Sequence, residues 1–197
     1  MKILPAFFAV VLAATAYASP EVGKPAPDFT LQDLSGKKYE LSDYKGKYVV
    51  LEWVNFGCPF VRKHYGSENM QTLQKEFADK GVVWLSICSS APGKQGNESP
   101  DAAEKGISKF GWAASAYLMD EEGKVGRLYN AKTTPEMFVV DPTGTLIYAG
   151  AIDDKPTPDP ATIEGSKNYL RTALNEATAG KAVSVPTTKP YGCSVKY

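Results

Sequence analysis

The chain has 197 residues, and its 22 lysines and arginines are balanced by 22 aspartates and glutamates. A net charge of zero excludes the basic footprint of a nucleic-acid binder and the cationic face of a membrane-surface protein. There is no internal repeat and no low-complexity segment, and the length suits one domain with a sizeable core.

Lys2, the uncharged and mostly apolar run Ile3 to Ala16, and the small-x-small triplet Ala16-Tyr17-Ala18 read as a secretory signal peptide over residues 1–18. The apolar run holds Pro5 and is shorter than the about 20 residues needed to span a bilayer. The expected product begins at Ser19, is exported to the periplasm or secreted, and has no membrane segment after signal cleavage. Residues 19–180 then read as one domain, and 181–197 as an irregular C-terminal tail.

Glu21 to Pro27 is a proline-rich lead-in. Phe29-Thr30-Leu31 and Lys38-Tyr39-Glu40-Leu41 flank Ser35-Gly36, which predicts a hairpin. Tyr48 to Val54 is a nearly continuous β-branched and aromatic run, as expected of a central buried strand. A helix is predicted from Pro59 to Lys80, with Met70, Leu73 and Phe77 on one face and Gly81 at the stop. Val82 to Cys88 is a second buried strand, and Ser89 to Asn97 a polar loop. Ser99-Pro100-Asp101 opens a helix that ends near Gly111. Ala116 to Met119 is a short strand, and Glu121 to Tyr129 a short helix or turn. Met137 to Val140 and Thr145 to Tyr148 flank Asp141-Pro142-Thr143-Gly144, which predicts a second hairpin with a type I turn. Residues 161–179 are predicted to form the last helix. This order predicts an α/β three-layer sandwich: a mainly parallel sheet, made mixed by the closing hairpin and covered on both faces.

The chain has three cysteines, Cys58, Cys88 and Cys193, too few for a disulfide scaffold and odd in number. Cys58 falls where a buried strand passes into a helix, and Pro59 suits the first helical turn. A helix N-terminus carries partial positive charge and lowers the pKa of a thiol placed there. Arg62, four residues on, shares the helix face of Cys58 and is expected to stabilise a thiolate; Lys63 and His64 point elsewhere. Cys88 ends a buried strand and reads first as core. Metal binding would need ligands beyond His64, the only histidine, and Met70, Met119 and Met137 sit at core positions. Asp153-Asp154 reads as a solvated turn, and Asn97-Glu98-Ser99 as a chance glycosylation sequon.

The segment Glu52 to Phe60 resembles the active-site turn of thioredoxin-like proteins, and Thr134-Pro135 with Met137 to Asp141 resembles that fold's cis-proline and following hairpin. The layout from Val22 to Gly180 is similar to the redoxin group, the alkyl hydroperoxide reductase/thiol-specific antioxidant family. Within it, the run Gly57 to Tyr65 and Ser89 to Gly93 resemble a peroxiredoxin-like subgroup. The resemblance implies a thioredoxin-like fold, a redox role for Cys58, and a cis-Pro135 that leaves a backbone edge open to an extended substrate. Two departures stand out. Val61 replaces the second cysteine of Cys-x-x-Cys, and Asn55 and Pro135 stand at or near positions where peroxiredoxins carry Thr and Arg. A tail cysteine between Gly192 and Ser194 reads as a disulfide partner, so Cys193 is the expected resolving partner of Cys58, with Cys88 as the alternative.

The expected function is an exported thiol-dependent oxidoreductase acting on a peroxide or on protein disulfides and thiols, served by a thiol reductant, with no organic cofactor and no metal. Two other classes stay open: a thioredoxin-fold module that binds copper or a client protein, and a structural protein with a permanent disulfide.

Overall fold

The computed structural model describes residues 19–197, so the predicted signal peptide lies outside the described residues. Among the described residues, nine strands and five α-helices follow one another as β1 (Thr30–Asp33), β2 (Lys38–Glu40), β3 (Val49–Trp53), α1 (Pro59–Gly66), α2 (Asn69–Ala78), β4 (Val83–Cys88), α3 (Pro100–Lys109), β5 (Ala116–Met119), α4 (Lys124–Leu128), β6 (Thr133–Thr134), β7 (Glu136–Val140), β8 (Leu146–Gly150), α5 (Tyr169–Thr178) and β9 (Cys193–Ser194). Seven strands form one sheet in the order β2-β1-β5-β4-β3-β7-β8. Its centre, β5-β4-β3, is parallel, while β1, β7 and β8 join antiparallel. The sheet is mixed rather than mainly parallel, because both hairpins dock onto the parallel centre and outnumber it.

The hydrophobic sequence of β3 follows from burial on both faces. Val49, Leu51 and Trp53 face one core, with Phe29, Tyr129 and Phe138. Val50 and Val54 face the other, with α2 residues Met70, Leu73 and Phe77 and α5 residues Leu170, Ala173 and Leu174. Trp53, Tyr129 and Phe138 pack with ring centroids 5.2 to 5.4 Å apart, close enough for aromatic pairing on top of area burial.

Three expectations change. The helix predicted over 59–80 is two helices, interrupted at Ser67 and Glu68. The Ser67 hydroxyl donates to the Lys63 carbonyl at 2.8 Å and ends α1, and Glu68 takes a left-handed φ of 59°. The helix predicted over 161–179 starts only at Tyr169, because Asn168 caps it by accepting from the Arg171 N–H at 2.8 Å. A short 3-10 turn, Pro160–Thr162, takes the place of its expected beginning. The tail is irregular only in the sense of lacking long elements, for it is bonded along its path. The Thr188 N–H donates to Ala149 O at 3.1 Å, the Val195 N–H to Lys132 O at 3.0 Å, and the Ala91 N–H to Lys196 O at 2.8 Å. Its two-residue strand β9 runs antiparallel to β6, with Cys193 opposite Thr134.

Among the described residues no helix is long and apolar enough to cross a membrane.

Candidate active site

Cys58 is the N-cap residue of α1, reached from β3 through the turn Val54 to Gly57, and Pro59 occupies the first helical position. The turn that delivers it is held by Asn55. The Asn55 carbonyl accepts from the Cys58 N–H at 2.9 Å. Its side-chain oxygen accepts from the Gly57 N–H at 2.8 Å, and its amide donates to Gln95 O at 2.9 Å. Asn55 thus shapes the turn through its backbone carbonyl and both polar ends of its side chain.

The β6–β7 loop faces the sulfur. The Thr134–Pro135 peptide is cis, and the Cys58 thiol donates to the Thr134 carbonyl at 3.0 Å. Glu136 buttresses this loop by accepting from the Lys132 and Thr133 N–H groups at 2.6 and 2.9 Å. The Thr134 hydroxyl is buried without a hydrogen-bond partner. A buried donor without a partner is costly, and here it lies beside a sulfur that can ionise.

Cys193 enters the site from the tail. Strand β9 sets it opposite Thr134, and Gly192 makes the approach possible. Gly192 has φ +144°, and a Cβ there would run into the Thr134 carbonyl oxygen. The two thiols interact directly. Burial pushes the Cys58 pKa up, but the Cys193 side chain, the backbone N–H groups of Val61 and Cys193, and the Thr134 side chain together bring it below the ordinary thiol value. Cys193 moves the other way, to about 11, through burial and the adjoining Cys58. The two thiols are thus set apart in acidity, Cys58 below and Cys193 above the ordinary thiol value.

The structure distributes the sequence-predicted residues unevenly. Cys58, Cys193 and Pro135 converge on one spot. Arg62 is exposed, and its charge acts to lower the pKa of Cys193. Cys88 is buried at the end of β4, where its thiol donates to Gly96 O at 3.3 Å. All three cysteines are unbonded to one another here. Among the described residues, no group of three or more His, Cys, Asp or Glu side chains is arranged to hold a metal ion.

Sequence reasoning missed several residues around the site. Asp153 is not a solvated turn; it is 1% exposed and ion-paired with buried Lys63 at 3.2 Å. Glu52 is buried on the face of β3 that packs against α1 and α2, and it accepts from Trp84 Nε1 at 2.8 Å, Ser86 Oγ at 3.0 Å and Tyr65 OH at 2.8 Å. Burial raises its pKa despite those donors. A charged residue inside a run of strand hydrophobics was the available signal for Glu52. Nothing local marked Asp153.

Comparison with known proteins agrees with this architecture. The chain is 32% identical over 151 residues to thioredoxin-like protein YneN of Bacillus subtilis (strain 168), covering 71% of this chain and 80% of that one. It is 30% identical over 127 residues to thiol-disulfide oxidoreductase ResA of Bacillus thuringiensis subsp. konkukian, covering 64% and 68%. An uncharacterized conserved protein from Geobacillus kaustophilus superposes with a TM-score of 0.77 at 30% identity, over 90% of this chain and 92% of that one. Residues 22–149 match the AhpC/TSA family. The chain belongs to that family and is a thiol-dependent oxidoreductase of the thioredoxin-like redoxin superfamily.

Proposed function

We propose that this protein is an exported thiol–disulfide oxidoreductase in which Cys58 is the nucleophile and Cys193, carried on the tail, is the resolving thiol. The observation that carries this reading is the placement of the Cys193 thiol against Cys58, on a strand paired to the cis-proline loop. The nucleophile and its resolver differ in acidity in the sense the reaction needs.

The Cys58 thiolate attacks one sulfur of a protein disulfide. A mixed disulfide forms, and the other substrate sulfur leaves as a thiolate that takes a proton from solvent. Cys193 then loses its proton and attacks the Cys58 sulfur, forming the Cys58–Cys193 disulfide and releasing the second substrate thiol. The substrate gains two electrons and the dithiol loses two; a thiol reductant returns them by the reverse exchange. Before the first attack the tail must swing aside, because Cys58 is fully buried.

Disulfide exchange is favoured over peroxide reduction by what surrounds the sulfur. Its polar neighbours are the Thr134 carbonyl and hydroxyl, backbone N–H groups and the second thiol. Asn55, at the position where peroxiredoxins carry Thr, is committed to the turn.

The test is mass spectrometry on a disulfide substrate. Cys193→Ser should trap the mixed disulfide on Cys58, the wild type should release reduced substrate and retain a Cys58–Cys193 bond, and Cys58→Ser should do neither. Rapid peroxide turnover through a sulfenic acid at Cys58, without disulfide exchange, would overturn the reading.

A further inference from the structure

The tail meets the body of the protein at a second buried point, two residues before Cys193. The Tyr191 hydroxyl donates to Asp153 Oδ1. Lys63 Nζ donates to Asp153 Oδ2 at 3.2 Å, to the Lys155 carbonyl at 2.8 Å and to the Tyr191 oxygen at 3.3 Å. His64 Nε2 lies 3.2 Å from that same oxygen, while the Asn69 amide meets His64 Nδ1 at 2.8 Å. An amide N–H donating to Nδ1 leaves the ring hydrogen on Nε2, which therefore donates to Tyr191. The Tyr191 ring packs edge-on against Phe60, with centroids 5.9 Å apart.

The count of donors and acceptors closes only with the tail in place. An ammonium has three N–H donors, and those of Lys63 go to Asp153, Lys155 and Tyr191. A phenol has one donor and two lone pairs, and Tyr191 gives the first to Asp153 and the others to Lys63 and His64. Without the hydroxyl, Lys63 and His64 would each keep a buried N–H with no partner. Lys63 and His64 are 2% and 0% exposed, so water does not reach them freely. The last member of this polar cluster is supplied by the tail.

The same helix that begins at Cys58 carries Lys63 and His64. Tyr191 and Cys193 are therefore fixed against one rigid element, and Gly192 makes the step between them.

We propose that Tyr191 is a positioning residue: its hydroxyl, seated on Lys63, Asp153 and His64, holds Cys193 within reach of Cys58 and so sets the effective concentration of the resolving thiol. This rests on the reading of Cys193 as resolver. The anchor does not touch the reacting sulfurs; it fixes the chain that carries one of them. Loss of anchoring lowers the intramolecular advantage in the same way as a loosened linker.

The experiment uses the full chain with Tyr191→Phe, which keeps the ring against Phe60 and removes only the hydroxyl. The Cys58–Cys193 disulfide is equilibrated against reduced and oxidised glutathione, and its species are resolved by mass spectrometry. The effective concentration of Cys193 should fall about tenfold or more, as expected for buried donors left unpaired, and glutathione should accumulate as a mixed disulfide on Cys58. In a Cys193→Ser background, the rate at which Cys58 reacts with oxidised glutathione should not fall with Tyr191→Phe. A general loss of folding would lower both. Amide exchange at Val195, bonded to Lys132, should speed up in the Tyr191→Phe chain. An unchanged effective concentration with unchanged Val195 exchange overturns the anchor while leaving the resolver intact. A wild type that forms no Cys58–Cys193 disulfide in any buffer overturns both.

Discussion

A thiol attacks a disulfide only as its thiolate, and at Cys58 burial works against ionisation while nearby donors work for it. Thr134 is the side chain through which this balance can be moved. Thr134→Val keeps the shape and the carbonyl but removes the hydroxyl that helps to lower the Cys58 pKa. We expect the midpoint of Cys58 alkylation to rise by about one pH unit, the cost of one hydrogen bond to a charged group. The profile of iodoacetamide labelling at Cys58 against pH measures it. Glu52 offers the opposite sign. Its folded pKa lies above the ordinary 4.5, so the native state holds its proton more tightly than the unfolded chain. The stability this confers is full below the unfolded pKa and is lost as pH rises through the folded one. Denaturation midpoints of the wild type should therefore fall as pH rises above about 4.5, and the difference from Glu52→Gln should carry that slope. The places of Cys58 and Pro59 in the fold were legible because a helix start after a buried strand is a local pattern. Thr134 and Asp153 were not, since their significance lies in which distant residue faces them.

The elements differ in how far their own sequence determines them. Strands β3 and β4 were readable because burial on both faces demands continuous apolar runs. Helix ends were less so. The break between α1 and α2 depends on a serine hydroxyl turning back to Lys63, and the periodicity of Met70, Leu73 and Phe77 lies wholly within α2 and so could not mark it. The start of α5 depends on Asn168, a residue type that suits caps and turns alike. Replacing it should identify the cap: Asn168→Ala should lower stability by about 1 kcal/mol in urea denaturation and leave the Cys58 alkylation rate unchanged. Strands β6 and β9 have two residues each, too short for any alternation to show. They exist because the tail and the cis-proline loop are brought together by the rest of the fold.

At the scale of the molecule, the tail closes the site in the dithiol state: β9 is already paired and Tyr191 already seated. The tail swings aside to admit substrate and closes again, so the dithiol and disulfide end states differ only by local movement of two sulfurs. The hydrodynamic radius should then be the same for the reduced and the Cys58–Cys193 oxidised protein, as sedimentation would show; a clear expansion on reduction would mean the tail is released. The sequence pattern made the three-layer sandwich legible, along with the presence of a tail cysteine. It did not reveal that the tail runs past β8 before reaching the thiol, because that path is set by single bonds such as Thr188 to Ala149. The path has a consequence in polymer terms. A bond from Cys58 to Cys193 would turn about 135 residues into a ring, whereas a Cys-x-x-Cys bond closes a loop of a few residues and barely restrains the unfolded chain. Closing so long a loop removes enough chain entropy to favour the folded oxidised form by about 4–5 kcal/mol. Around the thermodynamic cycle, the same free energy is the factor by which folding raises the tendency of the two thiols to join. Each turnover would thus switch the molecule between a linear and a cyclic covalent topology, and its resistance to unfolding would report the redox state of its surroundings.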